Sequence, residues 1–354
     1  MAITTGIVGA AGFAGIELVR LVLRHPNLDL AVVTSNELAG TPVSVEYPGF
    51  VGATNLVFTK HDDPALETCD LVFLAVPHTA ALAMAPALVA RGAVVIDLSA
   101  DFRLKDTSVY ERWYATPHTA PDLLADAAFG LPELFRDDLS RAAAERAAGG
   151  SVLVGCAGCY PTATSLAAAP AIRAGLKAQD GIVVVDAVSG VTGAGKKASA
   201  RTHFCFADEN VEAYGVGTHR HTPEIEQILD ITGRLVFTPH LAPLNRGLLS
   251  TVNVPLVANA PTDVAFYITL YRDFYDNAAF VHVLNQGFMP KTSSVVGTNF
   301  AHIGLAVNEQ ARMLIAVCAI DNLGKGAAGQ ALQCANIVCG LPERQGFDSA
   351  AVPV

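Results

Sequence analysis

The chain is short of positive charge: 23 Lys and Arg stand against 33 Asp and Glu, for a formal net charge of −10. With no basic field to hold a nucleic-acid backbone and no Lys/Arg run to hold a membrane surface, both kinds of partner are set aside in favour of a small-molecule substrate. Long apolar runs are missing too. "LVFLAVP" at 71–77 falls far below the roughly 20 residues that a bilayer demands, and "MAITTGIVGAAG" has neither a basic start nor a cleavable small-residue site. The expected location is the cytoplasm. Seven cysteines, an odd number, give no disulfide framework. They stand singly except Cys156/Cys159 and the Cys334/Cys339 pair, whose gap falls on a late helical pattern, so no second close pair completes a four-thiolate zinc site. No internal repeat or low-complexity linker is present.

What is there is a chain of 354 residues, 51% hydrophobic, long enough for a large core and for two domains. "TGIVGA" reads as a strand and "AGFAGIELVRLVLRHP" as a helix, with Ile16, Val19 and Leu23 at helical spacing before Pro26. Strands at 29–35, 69–77 and 92–100 with an Ala-rich helix at 79–91 continue the pattern, and near-continuous apolar strands alternating with helices predict a parallel sheet covered on both faces. "FGLPE" carries turn signals, and "RAAAERAAGG" at 141–150 reads as an exposed boundary. After strand "SVLVG" and a helix over 161–175, strands follow at 181–190, "RLVFTPHL", "GLLSTVNVPLV", "NFAHIGLAVNE" and "ARMLIAVCAID", with few intervening helices beyond one near 262–276. This predicts a second domain with a mixed, largely antiparallel sheet. A last helix spans 324–340. The fold class is therefore α/β, a dinucleotide-binding domain over 1–155 and 324–354 with a catalytic and oligomerisation domain over 156–323.

Between the first strand and the first helix lie Gly9, Gly12 and Gly15. Glycine there permits a tight turn and lets the N–H groups at a helix start, those of Phe13 and Ala14 among them, approach a pyrophosphate. The second strand ends in Thr34, Ser35 and Asn36, where an acidic residue would grip the ribose hydroxyls of NAD; NADP(H) is favoured. A second glycine-rich stretch, "SGVTGAGKK" with Ser189, Gly190 and Gly193, imitates a P-loop but has Lys197 where a Ser or Thr should hold magnesium. It is expected to be a flexible loop with backbone donors near a phosphate, or a structural turn.

In "GCAGCYPTATS" Cys156 and Cys159 could form a redox pair, a metal clamp, or one working thiol with a bystander. Cys159 precedes Pro161 and an Ala-rich run, which predicts a helix start, and a helix N-terminus favours thiolate over thiol. Cys156 reads as a packing residue. In "GTHRHTPEIEQIL" His219 and His221 alternate; with Glu224 they could ligate a metal. Thr222 and Pro223 read as an N-cap and first helical residue, leaving His221 outside a positive helix end that keeps its imidazole neutral, with Glu224 to orient it.

"GAAGFAGIELVRLV", "VVIDLSADFRL" at 94–104, "GLPEL" at 130–134, "GCYPT" at 158–162, "SGVTGAGKK", "HRHTPEI" at 219–225 and "DNLGKGAAGQA" at 321–331 occur in this order and together resemble the N-acetyl-gamma-glutamyl-phosphate reductase family over nearly the whole chain. The resemblance implies a Rossmann domain plus an α/β domain, a homodimer or homotetramer, and NADPH-dependent reduction of an acyl phosphate to an aldehyde in arginine biosynthesis. It implies Cys159 as nucleophile, His221 as general acid/base, and Gly9, Gly12 and Gly15 at the cofactor. It places Ser99 and Arg103 of "SADFR" at the substrate, Arg103 offering the phosphate a planar charged fork. His219 joins them there, and Asn322 lies near the nicotinamide. Rival readings are a reductase of aminoadipyl or aspartyl phosphate, a non-catalytic NADP-binding regulator, and a metal hydrolase built on His219, His221 and Glu224. The chain departs from the family in having Ala157, preceded by Cys156, where a Pro is usual, which makes Cys156 a disulfide partner under oxidation. It also lacks an Arg after the second strand.

Overall fold

The structure, a computed structural model, describes residues 2–347, 350 and 351 and separates into two compact units, residues 2–157 with 327–347, and Gly158–Gly326 with residues 350 and 351. The expected nucleotide domain reaches to 354; residues 348, 349 and 352–354 lie outside the described part.

In the first unit, six strands, β1 (Ile3–Val8), β2 (Leu28–Thr34), β3 (Leu71–Leu74), β4 (Val94–Asp97), β5 (Ala128–Gly130) and β6 (Val152–Cys156), form one sheet in the order β2-β1-β3-β4-β6-β5, every pairing parallel. The apolar runs are explained by burial on both sides. Ile7, Phe73, Ile96 and Val154 enter one core with the helices Phe13–Val22 and Gly329–Val338, while their neighbours Val8, Val72, Leu74, Val95 and Leu153 enter another with the helix Ala81–Ala90. Because successive side chains of a strand alternate faces, a strand with two cores must be apolar at every position. The chain passes from β1 to β2 on one side and then to β3 on the other, so the loop after β1 stands where strand order reverses, the usual ligand crevice of such sheets.

Two expectations are corrected here. "RAAAERAAGG" is largely exposed, as expected, but is no boundary between units: a helix runs over Arg136–Ala147 within the first unit, and its Leu139 and Ala142, three apart, are buried in the same core as the last helix. Ala, Arg and Glu favour the helix, and Gly149 ends it with φ +84 while Gly150 N–H bonds back to Glu145 O, a glycine C-terminal cap. In "FGLPE" the first two residues belong to β5, and only Leu131 onward turns.

The second unit holds β7 (Val183–Gly190), β8 (Glu212–Ala213), β9 (Leu235–Ala242), β10 (Leu248–Pro255), β11 (Val281–Val283), β12 (Ala301–Asn308) and β13 (Met313–Ile320), ordered β11-β12-β13-β10-β7-β9-β8. Only β11/β12 and β7/β9 are parallel. The helices Cys159–Arg173 and Val264–Phe274 are joined by Tyr271 and Tyr275, whose hydroxyls donate to Ala167 O and Leu166 O at 2.7 Å, and Thr164 Oγ1 meets Ser250 Oγ of β10 at 2.9 Å. The other face is half-exposed: Val188, Leu249, Thr251, Ile315 and Val317 lie there, with Leu249 opposite Val188 and Thr251 opposite Val317. The first helix of this unit begins at Cys159, two residues before the predicted Pro161, which falls in its first turn as a residue without N–H can. The later helix runs Thr222–Leu229, so His221 is its N-cap and Thr222 its first residue, one step earlier than predicted.

Candidate active site

The loop after β1 is shaped by its glycines. Gly9 has φ +78, and a Cβ on it would stand 2.4 Å from Ala75 O; one on Gly15 would stand 2.3 Å from Gly9 O. Neither position tolerates a side chain. Gly12, the N-cap of the helix Phe13–Val22, has only Gly9 O near the place of its missing Cβ, at 3.5 Å, and no side chain caps this helix. The N–H groups of Phe13, Ala14 and Gly15 head a helix N-terminus that no side chain caps and whose Gly12, Phe13 and Ala14 are partly exposed, a cradle that suits a pyrophosphate. The residues thus fit a dinucleotide. At the end of β2 the picture differs from a row of ribose ligands. Thr34 is fully buried, with Oγ1 2.6 Å from His61 Nδ1; Ser35 is also buried and its N–H donates to Thr59 O.

After β4 the segment "DLSADFR" folds into a buried polar knot. Ser99 Oγ donates to Asp97 Oδ2 at 2.7 Å and accepts from Asp101 N, so its hydroxyl serves the knot itself. The Asp101 carboxylate takes Thr79 N, Ala81 N and Tyr110 OH, while its carbonyl lies 2.8 Å from His118 Nε2. Arg103, nearly buried, donates from Nη2 to Leu98 O at 2.7 Å. Burial pushes the Asp97 carboxyl up to about 7, against the lowering effect of the Ser99 hydrogen bonds.

In the second unit Cys159 is the first residue of a helix whose body, from Tyr160 to Ala171, is buried, and it is itself partly accessible. Gly158 caps that helix without a side chain, and its N–H donates to Glu224 Oε1 at 2.8 Å. Glu224, 1% exposed, belongs to the first turn of the helix that His221 caps. One carboxylate therefore ties the start of the thiol's helix to the start of the imidazole's helix. His221 N–H donates to His219 Nδ1 at 3.2 Å, and the His219 ring is enclosed edge-on by Tyr160, Tyr214 and Phe237. Burial, helped by Arg220, pushes the His219 imidazolium down to about 4. His219 is a neutral acceptor at neutral pH. His221 lies beside it, ring centroids 4.9 Å apart, and 6.0 Å from the Tyr160 ring. Tyr160 OH donates to His240 O and accepts from Tyr214 OH; both phenols are pushed up, chiefly by burial, with the Cys159 charge adding to it, so both stay protonated donors.

The glycine-rich loop leaves β7 through Ser189, buried, with Oγ donating to Gly190 O. A Cβ on Gly190 would meet Leu244 O at 2.7 Å, and one on Gly193 would meet Ser189 Oγ at 2.9 Å. Asn322, 2% exposed, holds this loop: Oδ1 accepts from Gly247 N and Nδ2 donates to Thr192 Oγ1. Its amide is engaged at both ends within the protein. Among the described residues no group of three or more His, Cys, Asp or Glu could hold a metal ion. Of the residues in the metal reading, Glu224 Oε1 is taken by Gly158 N–H and His219 Nδ1 by His221 N–H.

Several contributors carry no local signal. Lys60 and His61 stand in a loop, yet with Asn36, Asp62 and Met84 they line a cleft of about 500 Å³. Gly326 backs Cys159, where a Cβ would lie 2.7 Å from Cys159 Cβ. Tyr214 and the Asp101 knot are also invisible to spacing. Ala157 donates N–H to Gly130 O and accepts from Gln330 Nε2, a fixed geometry whose first bond a proline could not make.

A parallel nucleotide-type sheet with a glycine turn, and beside it in sequence a mixed-sheet unit with a helix-start thiol and a capping histidine, define a semialdehyde dehydrogenase. The semialdehyde dehydrogenase NAD binding domain model matches residues 4–142 and the semialdehyde dehydrogenase dimerisation domain model matches 159–322. Solved structures give the same fold: aspartate semialdehyde dehydrogenase II from Vibrio cholerae complexed with ASA, at a TM-score of 0.71 and 16% identity, and aspartate semialdehyde dehydrogenase with NADP from Candida albicans, at 0.70 and 15%, each covering 96% of this chain and 98% of its own. Curated relatives narrow the class. Proteins named N-acetyl-gamma-glutamyl-phosphate reductase from Symbiobacterium thermophilum and Halorhodospira halophila are 45% and 46% identical over 355 aligned residues, 99% of both chains. The chain belongs to the N-acetyl-gamma-glutamyl-phosphate reductase family.

Proposed function

We propose that this enzyme reduces N-acetyl-glutamyl 5-phosphate to N-acetyl-glutamate 5-semialdehyde and phosphate, with NADPH, as a step of arginine biosynthesis. The observation that carries this reading is the pairing of two helix starts through Glu224, with Cys159 at the first residue of one and His221 at the cap of the other.

The Cys159 thiolate, favoured by the positive end of its helix, adds to the acyl carbon; the carbon–oxygen bond to phosphate breaks, phosphate leaves with the bond pair, and a thioester remains. Arg103, whose Nη2 donates to Leu98 O and whose backbone N–H donates to Ala100 O, binds the substrate phosphate as a two-pronged donor. A dinucleotide on the Gly9–Gly15 cradle supplies hydride to that carbon when bound. His221 holds the proton at the substrate oxygen as charge develops there and takes it back when the thiolate leaves the aldehyde carbon. His219 is unsuited to this, because its Nδ1 accepts from His221 N–H and burial holds its imidazolium near 4. Its part is to fix the His221 backbone and bind substrate as a neutral donor. Asn322, Ser189, Gly190 and Gly193 shape the loop beside the nicotinamide, Thr34 and Ser35 the ribose end.

NADP over NAD is supported by the absence of an acid at the end of β2. The half-exposed apolar row on β7, β10 and β13 supports a homodimer, or a tetramer made from it, since its face of the matched dimerisation domain asks for cover. Seven free thiols support a reducing compartment, the cytoplasm; among the described residues no helix is long and apolar enough to cross a membrane.

The test is phosphate- or arsenate-dependent reduction of NADP by the purified chain with N-acetyl-glutamate semialdehyde, run beside aspartate and aminoadipate semialdehydes. Preferred turnover of the first is expected. Preference for either of the others, or no turnover despite NADPH binding, refutes the assignment.

A further inference from the structure

The segment 59–62 is not a free loop. Thr59 N–H donates to Val33 O at 3.0 Å, Ser35 N–H to Thr59 O at 2.8 Å, and Thr34 pairs with Thr59 as a parallel bridge, so this segment lies as a short extra strand along the end of β2. Two side chains then fasten its tip: Asn36 Oδ1 accepts from His61 N at 2.9 Å, and buried Thr34 puts Oγ1 2.6 Å from His61 Nδ1. The result is the cleft of about 500 Å³ lined by Asn36, Lys60, His61, Asp62 and Met84. It opens at the end of the strand beside the Gly9–Gly15 cradle, the place where a dinucleotide's adenosine ribose is read in such a sheet. Met84, on the helix Ala81–Ala90, provides an apolar wall of the kind a flat base lies against, and Lys60 and His61 provide donors.

We infer that Lys60 and His61 form the 2′-phosphate site of this chain, doing from the added strand what an arginine after β2 does elsewhere. The inference rests on the NADP reading above and goes beyond it in naming residues that no motif marks. Lys60 contributes the positive charge and His61 a ring donor; with Thr34 engaging Nδ1, Nε2 is the nitrogen left for ligand. Asp62 lines the same cleft and opposes a phosphate, so it weakens the site without abolishing it. The exposed Glu37 is not among the lining residues.

The experiment uses adenine half-molecules, which require no turnover: 2′,5′-ADP and 5′-AMP are titrated calorimetrically into the whole chain, with NADPH and NADH followed by fluorescence. Wild type should prefer 2′,5′-ADP. Lys60→Ala should weaken 2′,5′-ADP and NADPH by roughly 10- to 100-fold while leaving 5′-AMP and NADH within about twofold. Lys60→Arg should restore most of the loss, His61→Ala should share it, and Asp62→Asn should tighten 2′,5′-ADP. Wild-type preference for 2′,5′-ADP that survives both Lys60→Ala and His61→Ala would overturn this inference and leave the NADP reading standing. Equal affinity for 2′,5′-ADP and 5′-AMP, or a preference for NADH, would remove the NADP reading and this site with it.

Discussion

Gly326→Ala tests whether the position of Cys159 matters as much as its chemistry. An alanine Cβ at 326 would lie 2.7 Å from Cys159 Cβ and 3.2 Å from its Cα, and also 3.3 Å from Asp321 O. Carbon atoms settle about 3.5–4.0 Å apart, so one partner must yield by about 1 Å. Gly326 is poorly placed to yield. Its N–H bonds to Asp321 O, and the Asp321 carboxylate is held by Arg246 at 2.8 Å and by the N–H groups of Gly297, Leu323 and Gly324. Cys159 is the first residue of its helix, where the chain enters from a glycine cap, so the strain reaches the nucleophile. A displacement of about 1 Å costs on the order of 100-fold in rate, or about 2.7 kcal/mol of barrier. Overpacking should cost a further ~1–3 kcal/mol of stability. The assay is kcat at saturating substrate, together with the rate of Cys159 alkylation, the melting temperature and NADPH affinity. Expected are a folded protein, lowered kcat, altered alkylation and unchanged NADPH binding. A folded variant with kcat within threefold of wild type would refute the claim that Cys159 needs a fixed position.

Cys159→Ser should abolish reduction while leaving NADPH binding nearly intact, whereas Cys156→Ser, at a buried position ending β6, should keep most activity and lower the melting temperature; comparable activity losses would make the pair the functional unit. His221→Asn should lower kcat and remove a limb of the pH–rate profile, while His219→Asn should leave that limb in place. Because the folded pKa of His219 is depressed from 6.5 to about 4, its contribution to stability is present above 6.5 and lost as pH falls toward 4; denaturation across that window should show a loss in wild type that His219→Asn lacks. Asp97 has the opposite sign: its folded pKa is raised from 3.8 to about 7, so its contribution is full below 3.8 and lost as pH rises through 7. Asp97→Asn should flatten that decline, which is on the order of 4 kcal/mol in full, and equal slopes for both proteins would show that the carboxyl is not buried neutral.

Sequence legibility followed the range of the interaction. The first βα unit shows because a strand, three glycines and an amphipathic helix lie within 20 residues, each governed by a local rule. The start of the Cys159 helix was legible to within two residues because Pro161 marks the first turn. The helix Arg136–Ala147 was missed because its apolar face is just Leu139 and Ala142, too small a stripe to stand out, and its burial depends on a helix almost 200 residues later. Lys60 and His61 were missed for a similar reason. They matter only once Thr59 pairs with the end of β2, and β pairing leaves no trace in a polar four-residue stretch.

Glu224 shows how such a long-range contact changes the meaning of a residue that the sequence does flag. One turn after His221, it reads as the partner that orients an imidazole. In the fold its Oε1 receives Gly158 N–H, a donor one residue before Cys159 and 66 positions away. A buried carboxylate that accepts a backbone N–H is stable in one place, and moving it exposes a desolvated charge, so the bond resists shear between the two helix starts. The donor it takes belongs to the residue that caps the Cys159 helix. On the proposed mechanism the thiol and the imidazole must keep one spacing through thioester formation and aldehyde release, and a brace between their helices serves that need.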